Sequence, residues 1–250
     1  MQEPEATRHE RALKDVKVIG FDADDTLWVN EPFYRERERQ FCALLSEFLP
    51  EENAQAELFA TEMANLSLYG YGVKGFTLSM IETALRVTAM KVPLPVVERI
   101  IQMGKSLIDQ PIELIEGVEA VLKALQGRFR LIIATKGDLL DQERKLTRSG
   151  LSPYFHHIEI MSDKKEGNYR SLLGHLDIEP CHFAMVGNSM KSDIEPVLRL
   201  GGFGIHVPFH TTWQHEESSD AMPESDRFYR INGLDELTGL FESGVKAARL

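Results

Sequence analysis

The sequence predicts an α/β protein: a doubly wound parallel sheet interrupted by an inserted α-helical domain. Three observations carry that prediction. Short, β-branched apolar runs recur along the chain. Amphipathic stretches of helical period separate most of them. Between residues 31 and 111, helical patterns follow one another with no convincing strand run. Strands that alternate with helices give a parallel sheet covered on both faces.

The elements are expected in this order. A first strand lies over residues 16–21 and ends at a cluster of acids. Four helices follow over about 33–48, 52–64, 78–90 and 94–107, as a cap-like insertion. The sheet pattern then resumes with a helix over 117–126, a strand over 130–135 and a helix over 138–149. Next come a strand over 157–161, a helix over 166–176, a strand over 183–187 and a helix over 192–200. A strand over 203–207, a weaker one over 227–231 and a helix over 234–248 close the chain. The last helix carries Leu234, Leu237, Leu240, Phe241 and Val245 as a core-facing stripe. The expected domains are a core of residues 1–30 and 112–250 and a helical cap of 31–111.

The 250 residues carry a formal net charge of −11, with 43% hydrophobic residues. That composition is globular rather than disordered. An acidic chain repels phosphate backbones and anionic lipid, so no nucleic-acid or membrane partner is expected. A small anionic substrate held at a locally positive site remains compatible with it. Cys42 and Cys181 are far apart and outside any CxxC pair, so neither a disulfide framework nor a zinc site is expected. The acid-rich start lacks an apolar stretch, and a cytoplasmic home is expected. A monomer or homodimer fits equally.

Open parallel sheets bind ligands at the carboxyl ends of their strands. The first strand is followed by Asp22-Ala23-Asp24-Asp25-Thr26, and the second ends at Thr135-Lys136-Gly137-Asp138. The third is followed by Asp163-Lys164-Lys165, and the fourth by Gly187-Asn188-Ser189 with Asp193 further on. Three acids within four residues repel one another unless a cation is present. Mg²⁺ is the hard cation that pairs carboxylates with substrate phosphates.

These residues resemble the four motifs of the haloacid dehalogenase superfamily of hydrolases. Asp22, Asp24 and Thr26 match its DxDxT, and Thr135 matches its second-strand hydroxyl. Lys164 or Lys165 matches its lysine, with the spacing to Tyr169 favouring Lys164. The turn from Gly187 to Asp193 matches its acidic fourth motif. The resemblance covers nearly the whole chain after about Lys14, and the helical insertion stands where that superfamily carries one type of cap.

The resemblance implies an Mg²⁺-dependent phosphatase acting on a small phosphorylated metabolite through an aspartyl-phosphate. Asp22 would be the nucleophile and Asp24 the acid and base. Thr135 would bond a phosphoryl oxygen, and Lys164 would offset negative charge. Thr26 and Lys136 would also meet the substrate, and Lys74 of the cap would meet its anionic group. The metal would be held by Asp22, the Asp24 carbonyl and Asn188 or Asp193. The sequence departs from the superfamily pattern at Asp25, where Gly is usual, and at Asn188, where Asp is usual. Two other readings stand beside this one: a 2-haloacid dehalogenase, which needs no second acid like Asp24, and a phosphate-binding module without catalysis.

Gly70-Tyr71-Gly72-Val73-Lys74-Gly75 matches GxGxxG literally but lacks a β-α-β unit around it, so no dinucleotide site is expected. The stretch is expected to be a flexible cap loop or, equally, a plain helix-to-helix connector. His206, His210 and His215 are expected to be surface histidines of a loop past the fifth strand, a loop that leaves the same sheet edge and could line the pocket.

Overall fold

The computed structural model describes residues 13–216 and 224–243. Its sheet has six strands: β1 (Val18–Phe21), β2 (Arg130–Lys136), β3 (His157–Met161), β4 (Phe183–Gly187), β5 (Phe203–His206) and β6 (Phe228–Arg230). Their order is β3-β2-β1-β4-β5-β6, all parallel, with helices on both sides. In register, Val18 stands between Arg130 and Phe183, and Phe21 between Ile133 and Val186. The fold class read from the sequence is therefore the one observed. The acid-bearing strand sits at the centre, with every residue of β1 and of β4 buried. Strands buried on both faces read as unbroken apolar runs, which is why these two stand out in the sequence. Gly20 is required at the centre of β1, since a Cβ there would lie 2.7 Å from the Phe183 ring.

The helices are α1 (Glu31–Leu44), α2 (Glu51–Tyr69), α3 (Val73–Val87), α4 (Leu94–Ile108) and α5 (Val118–Leu125), then α6 (Leu139–Ser149), α7 (Glu166–Leu176), α8 (Glu195–Leu200) and α9 (Glu236–Ser243). No described helix is long and apolar enough to cross a membrane. The expected continuation of the last helix past residue 243 lies outside the described residues.

The described residues form two compact units. The first comprises residues 1–29, 113–135 and 149–250, and the second residues 30–112 and 136–148. The second therefore takes in α6 as well as α1 to α4. Contacts within the unit account for that. Lys74 is ion-paired with Asp138 at 2.9 Å, Lys145 donates to the Asn30 side chain at 2.7 Å, and Arg148 donates to the Ile108 carbonyl at 3.2 Å. The unit has its own core, with Phe41, Leu45, Leu58, Met80 and Ile100 fully buried. The first unit packs Tyr169, Leu172, Phe183 and Met185 under its sheet.

A polar seam runs between α2 and α3. Asn65 donates to Ser79 at 3.1 Å, Thr83 to Thr61 at 2.9 Å, and Arg86 to Thr61 at 2.9 Å. Asn65, Ser79, Thr61 and Thr83 are buried and each has a partner, with exposed Arg86 closing the seam, which fixes the register of the helix pair.

Of the two readings of residues 70–75, the structure shows the helix-to-helix connector, and a shorter one than expected. Only Gly70 to Gly72 lie outside helix; Val73 opens α3, and Gly75 is inside it. Gly70 and Gly72 both take positive φ, +70° and +106°, so the chain reverses within three residues. Gly75 then packs on the turn, where a Cβ would lie 2.8 Å from the Gly70 carbonyl oxygen.

The expected helix start at residue 192 is also displaced. Residues Met190–Ile194 form a π-helical turn, and α8 begins only at Glu195 with Pro196 in its first turn. A proline belongs in a first turn because its missing N–H has no partner there anyway.

Candidate active site

The sequence places an acid at the end of the central strand, and the turn that follows is tight. Asp25 adopts φ +62°, the left-handed region in which Gly is cheapest and Asp is tolerated. Its N–H donates to the Trp28 carbonyl at 2.7 Å, and Thr26 and Leu27 donate back to the Ala23 carbonyl at 3.3 and 2.8 Å. The unexpected acid at this position thus occupies a backbone conformation that explains why Gly is the common alternative. The turn folds Thr26 back toward Asp22, so that its hydroxyl lies 3.2 Å from Asp22 Oδ2. Trp28, four residues past Asp24 across the turn, donates its indole N–H to Asp24 Oδ1 at 2.7 Å.

Lys164 reaches the same place from the turn after β3. Its ammonium contacts Asp22 Oδ1 and lies 2.6 Å from Asp193 Oδ1. The Lys164 and Asp193 side chains are each 1% exposed, and that of Asp22 is 9% exposed. Lys165 points away, with its side chain 80% exposed and paired with Asp163. The two adjacent lysines therefore have distinct environments.

Asp193 is held on both oxygens. Oδ1 meets Lys164, and Oδ2 accepts the Ser189 N–H at 2.9 Å. Gly187 makes room for this, because a Cβ there would lie 2.3 Å from Asp193 Oδ2. Asn188 presents its side-chain oxygen 3.3 Å from the Thr26 hydroxyl. That hydroxyl can donate to Asn188 or to Asp22, so one short side chain spans the two oxygens. Thr135 is 1% exposed in the same unit.

Electrostatics follow from burial. Removal from water pushes the Asp22 carboxyl up to about 7, against the pull of Lys164 and with a further push from Asp193. Burial alone would lower Lys164, but Asp193 and Asp22 outweigh it and hold the ammonium well above the ordinary lysine range. Tyr169 closes the floor; its hydroxyl donates to the Ser192 carbonyl at 3.0 Å.

The structure thus brings together Asp22, Thr26, Lys164, Asn188 and Asp193, with Asp24 turned to Trp28. Lys136 and Lys74 belong to the second unit, where each has a partner. The Lys136 ammonium stands 4.2 Å from the centre of the Tyr71 ring, and Lys74 holds Asp138.

The expectation of surface histidines is corrected at His206. It is the last residue of β5, 8% exposed, with Nε2 3.0 Å from the Asn188 carbonyl oxygen. Burial lowers its pKa, and because its partner is a carbonyl oxygen, Nε2 carries the hydrogen and donates this bond. Sequence reading also missed Trp28, whose spacing of four from Asp24 was the available signal. It missed Glu216 as well, for which no sequence signal exists.

The donor set suits a hard cation in part. Among the described residues, no three His, Cys, Asp or Glu side chains converge as a metal cage. Asp193 is committed to Lys164 and Ser189. The Asp22 carboxylate and the Asn188 amide oxygen are oxygen donors spanned by one hydroxyl, which is the ligand chemistry Mg²⁺ accepts.

The family model of haloacid dehalogenase-like hydrolases matches residues 16–201. A haloacid dehalogenase-like family hydrolase from Xanthomonas campestris is 37% identical, with a TM-score of 0.80 and 90% of each chain covered. The N-acylneuraminate-9-phosphatase of Rattus norvegicus is 27% identical over 147 residues, 56% of this chain; the match spans 57% of that relative's length. The magnesium-bound hydrolase YfnB of Bacillus subtilis shares the fold at a TM-score of 0.61 and 16% identity, over 91% of this chain and 99% of its own.

Proposed function

The chain belongs to the haloacid dehalogenase-like hydrolases, and on that premise we propose that it is an Mg²⁺-dependent phosphatase of small phosphate monoesters. One observation carries the reading: a buried lysine that contacts the strand-end carboxylate Asp22 while a second carboxylate, Asp193, holds it in place. The phosphatase activity of the rat relative supports the same choice.

In this reading Asp22 attacks phosphorus in line. A bond forms between its carboxylate oxygen and phosphorus, and the bond from phosphorus to the leaving oxygen breaks. Asp24 gives that oxygen a proton. Its carboxyl is aimed by Trp28, so the acid is oriented before substrate arrives. Asp24 then takes a proton from water, the water oxygen bonds to phosphorus, and the Asp22 carboxylate leaves with inorganic phosphate as the product. Lys164 stabilises the ionised Asp22 and the charge that develops beside it. Thr135 and Thr26 supply hydroxyls at the same strand ends.

Asp22, Asn188 and the Asp24 carbonyl would hold Mg²⁺. A bound Mg²⁺ would supply positive charge that offsets that of Asp22 and the phosphoryl group. Asp193 serves the lysine rather than the metal. Lys74 and Lys136 are proposed as substrate contacts of the second unit. A reducing, cytoplasmic setting and a small phosphorylated metabolite complete the reading.

Hydrolysis of p-nitrophenyl phosphate tests it, with and without Mg²⁺, in wild type and Asp22→Asn. Turnover that needs Mg²⁺ and vanishes in the variant supports the phosphatase. Metal-independent turnover, full activity in Asp22→Asn, or chloride release from 2-chloropropionate in place of phosphate release would overturn it.

A further inference from the structure

Glu216 has no part in the chemistry above, yet it is joined to it by direct contacts. It ends a short 3₁₀ turn, Gln214–Glu216, beyond β5. Its Oε2 accepts the hydroxyls of Ser189 and Ser192, each at 2.5 Å, and both serines are 6% exposed. Ser189 is the hub of the fourth-motif turn. Its hydroxyl oxygen accepts the Ser192 N–H at 3.1 Å, and its carbonyl accepts the Asp193 N–H at 2.9 Å. Its own N–H donates to Asp193 Oδ2 at 2.9 Å, and Asp193 grips Lys164. Glu216 therefore stands at one end of a contact chain whose other end is Asp22.

Two neighbours act in the same direction. Lys191 donates to the His215 carbonyl at 2.7 Å, and His206 donates to the Asn188 carbonyl. The turn they surround, Met190–Ile194, is π-helical and lacks the regular ladder of an α-helix. Such turns recur at functional sites. An ionised acceptor makes shorter and stronger bonds to hydroxyls than a neutral one. One carboxylate that fixes two serine rotors at once would hold both Asn188 and Asp193 in place.

We propose that Glu216 is a positioning residue for the phosphatase site, acting through Ser189 and Ser192 to set Asn188 toward the metal and Asp193 toward Lys164. This rests on the function proposed above. Residues outside the ligand shell that orient metal ligands are worth about 10–100-fold in affinity.

The test uses the full chain and three proteins: wild type, Glu216→Ala and Glu216→Gln. Calorimetry gives the Mg²⁺ Kd, hydrolysis of p-nitrophenyl phosphate gives kcat, and hydrogen exchange reports on residues 187–195. Glu216→Ala should weaken Mg²⁺ by about tenfold, lower kcat, and speed exchange over that segment. Glu216→Gln keeps an acceptor and should restore most of all three. Unchanged Kd and kcat in Glu216→Ala overturn the proposal, even if exchange rises. Wild type that neither binds Mg²⁺ nor turns over overturns the phosphatase reading before any variant is made. The exchange data then decide the remaining claim: equal exchange in all three proteins overturns the support of the turn, and faster exchange in Glu216→Ala alone upholds it.

Discussion

The Lys164 ammonium lies 2.6 Å from Asp193 Oδ1, with both side chains 1% exposed, while the same ammonium contacts Asp22. Removing one member of a buried ion pair costs about 3–5 kcal/mol, because the other charge is left in a medium that cannot solvate it. Asp193→Ala is therefore expected to lower stability by about 3 kcal/mol, seen as a fall of roughly 6–12 °C in melting temperature. Lys164→Met/Asp193→Leu should lose less than the sum of its single variants. Additive losses would show that the two groups are not coupled.

Gly187→Ala tests the space beside that pair. A Cβ would lie 2.3 Å from Asp193 Oδ2, inside any permitted contact. The carboxylate must move, and with it the partner of Lys164. Expected outcomes are a loss of about 1–3 kcal/mol and a fall in kcat on p-nitrophenyl phosphate with little change in KM. Unaltered kcat would show that Asp193 tolerates displacement.

Asn188→Asp adds a charge to an oxygen already 3.3 Å from the Thr26 hydroxyl. Charged oxygen donors bind hard cations more tightly than amide oxygens. The Mg²⁺ Kd should fall by about tenfold, measured by calorimetry without reference to turnover. The metal-free variant should also melt lower than wild type at neutral pH, as the new acid faces Asp22. An unchanged Kd would remove Asn188 from the ligand set.

Glu62, on α2 in the second unit, has its pKa raised from 4.5 to about 8. Burial is the main cause, with Glu38 and Glu31 adding to it and Arg35 opposing. A raised folded pKa contributes stability that is fully present below about pH 4.5 and is lost as pH rises through about 8. Glu62→Gln removes that loss. The variant should gain on the order of 4 kcal/mol relative to wild type between pH 5 and pH 9, read from melting temperatures across that range. Parallel melting curves would place Glu62 in water.

Much of this architecture is written in local patterns. β1 and β4 read as apolar runs because both of their faces are covered, and a strand end followed by Asp22 and Asp24 marks the ligand edge of the sheet. Lys164 is separated from Lys165 by its spacing to Tyr169, which sits on the buried side of α7. What the sequence could not show depends on contacts between distant small groups. Glu216 meets Ser189 and Ser192, residues that carry no periodic signal. His206 ends a strand yet turns its ring to the Asn188 carbonyl, a backbone partner that no side-chain pattern reveals. The start of α3 was misplaced because two left-handed glycines shorten the connection to a degree that composition does not encode.

The strand order has a consequence for how the molecule comes into being. β1 is made first but pairs with β2 and β4, whose residues Arg130 and Phe183 face Val18 across the helical insertion and much of the sheet-forming chain. A chain emerging from the ribosome exposes the finished acid cluster long before Lys164 or the Asn188–Asp193 turn exists. Contacts this distant in sequence close slowly. During that interval the second unit, with its own apolar core, can order ahead of the strand that precedes it. Asp22 is thus among the earliest parts of the site to be synthesised, and it waits for the last of its partners before it is held in place.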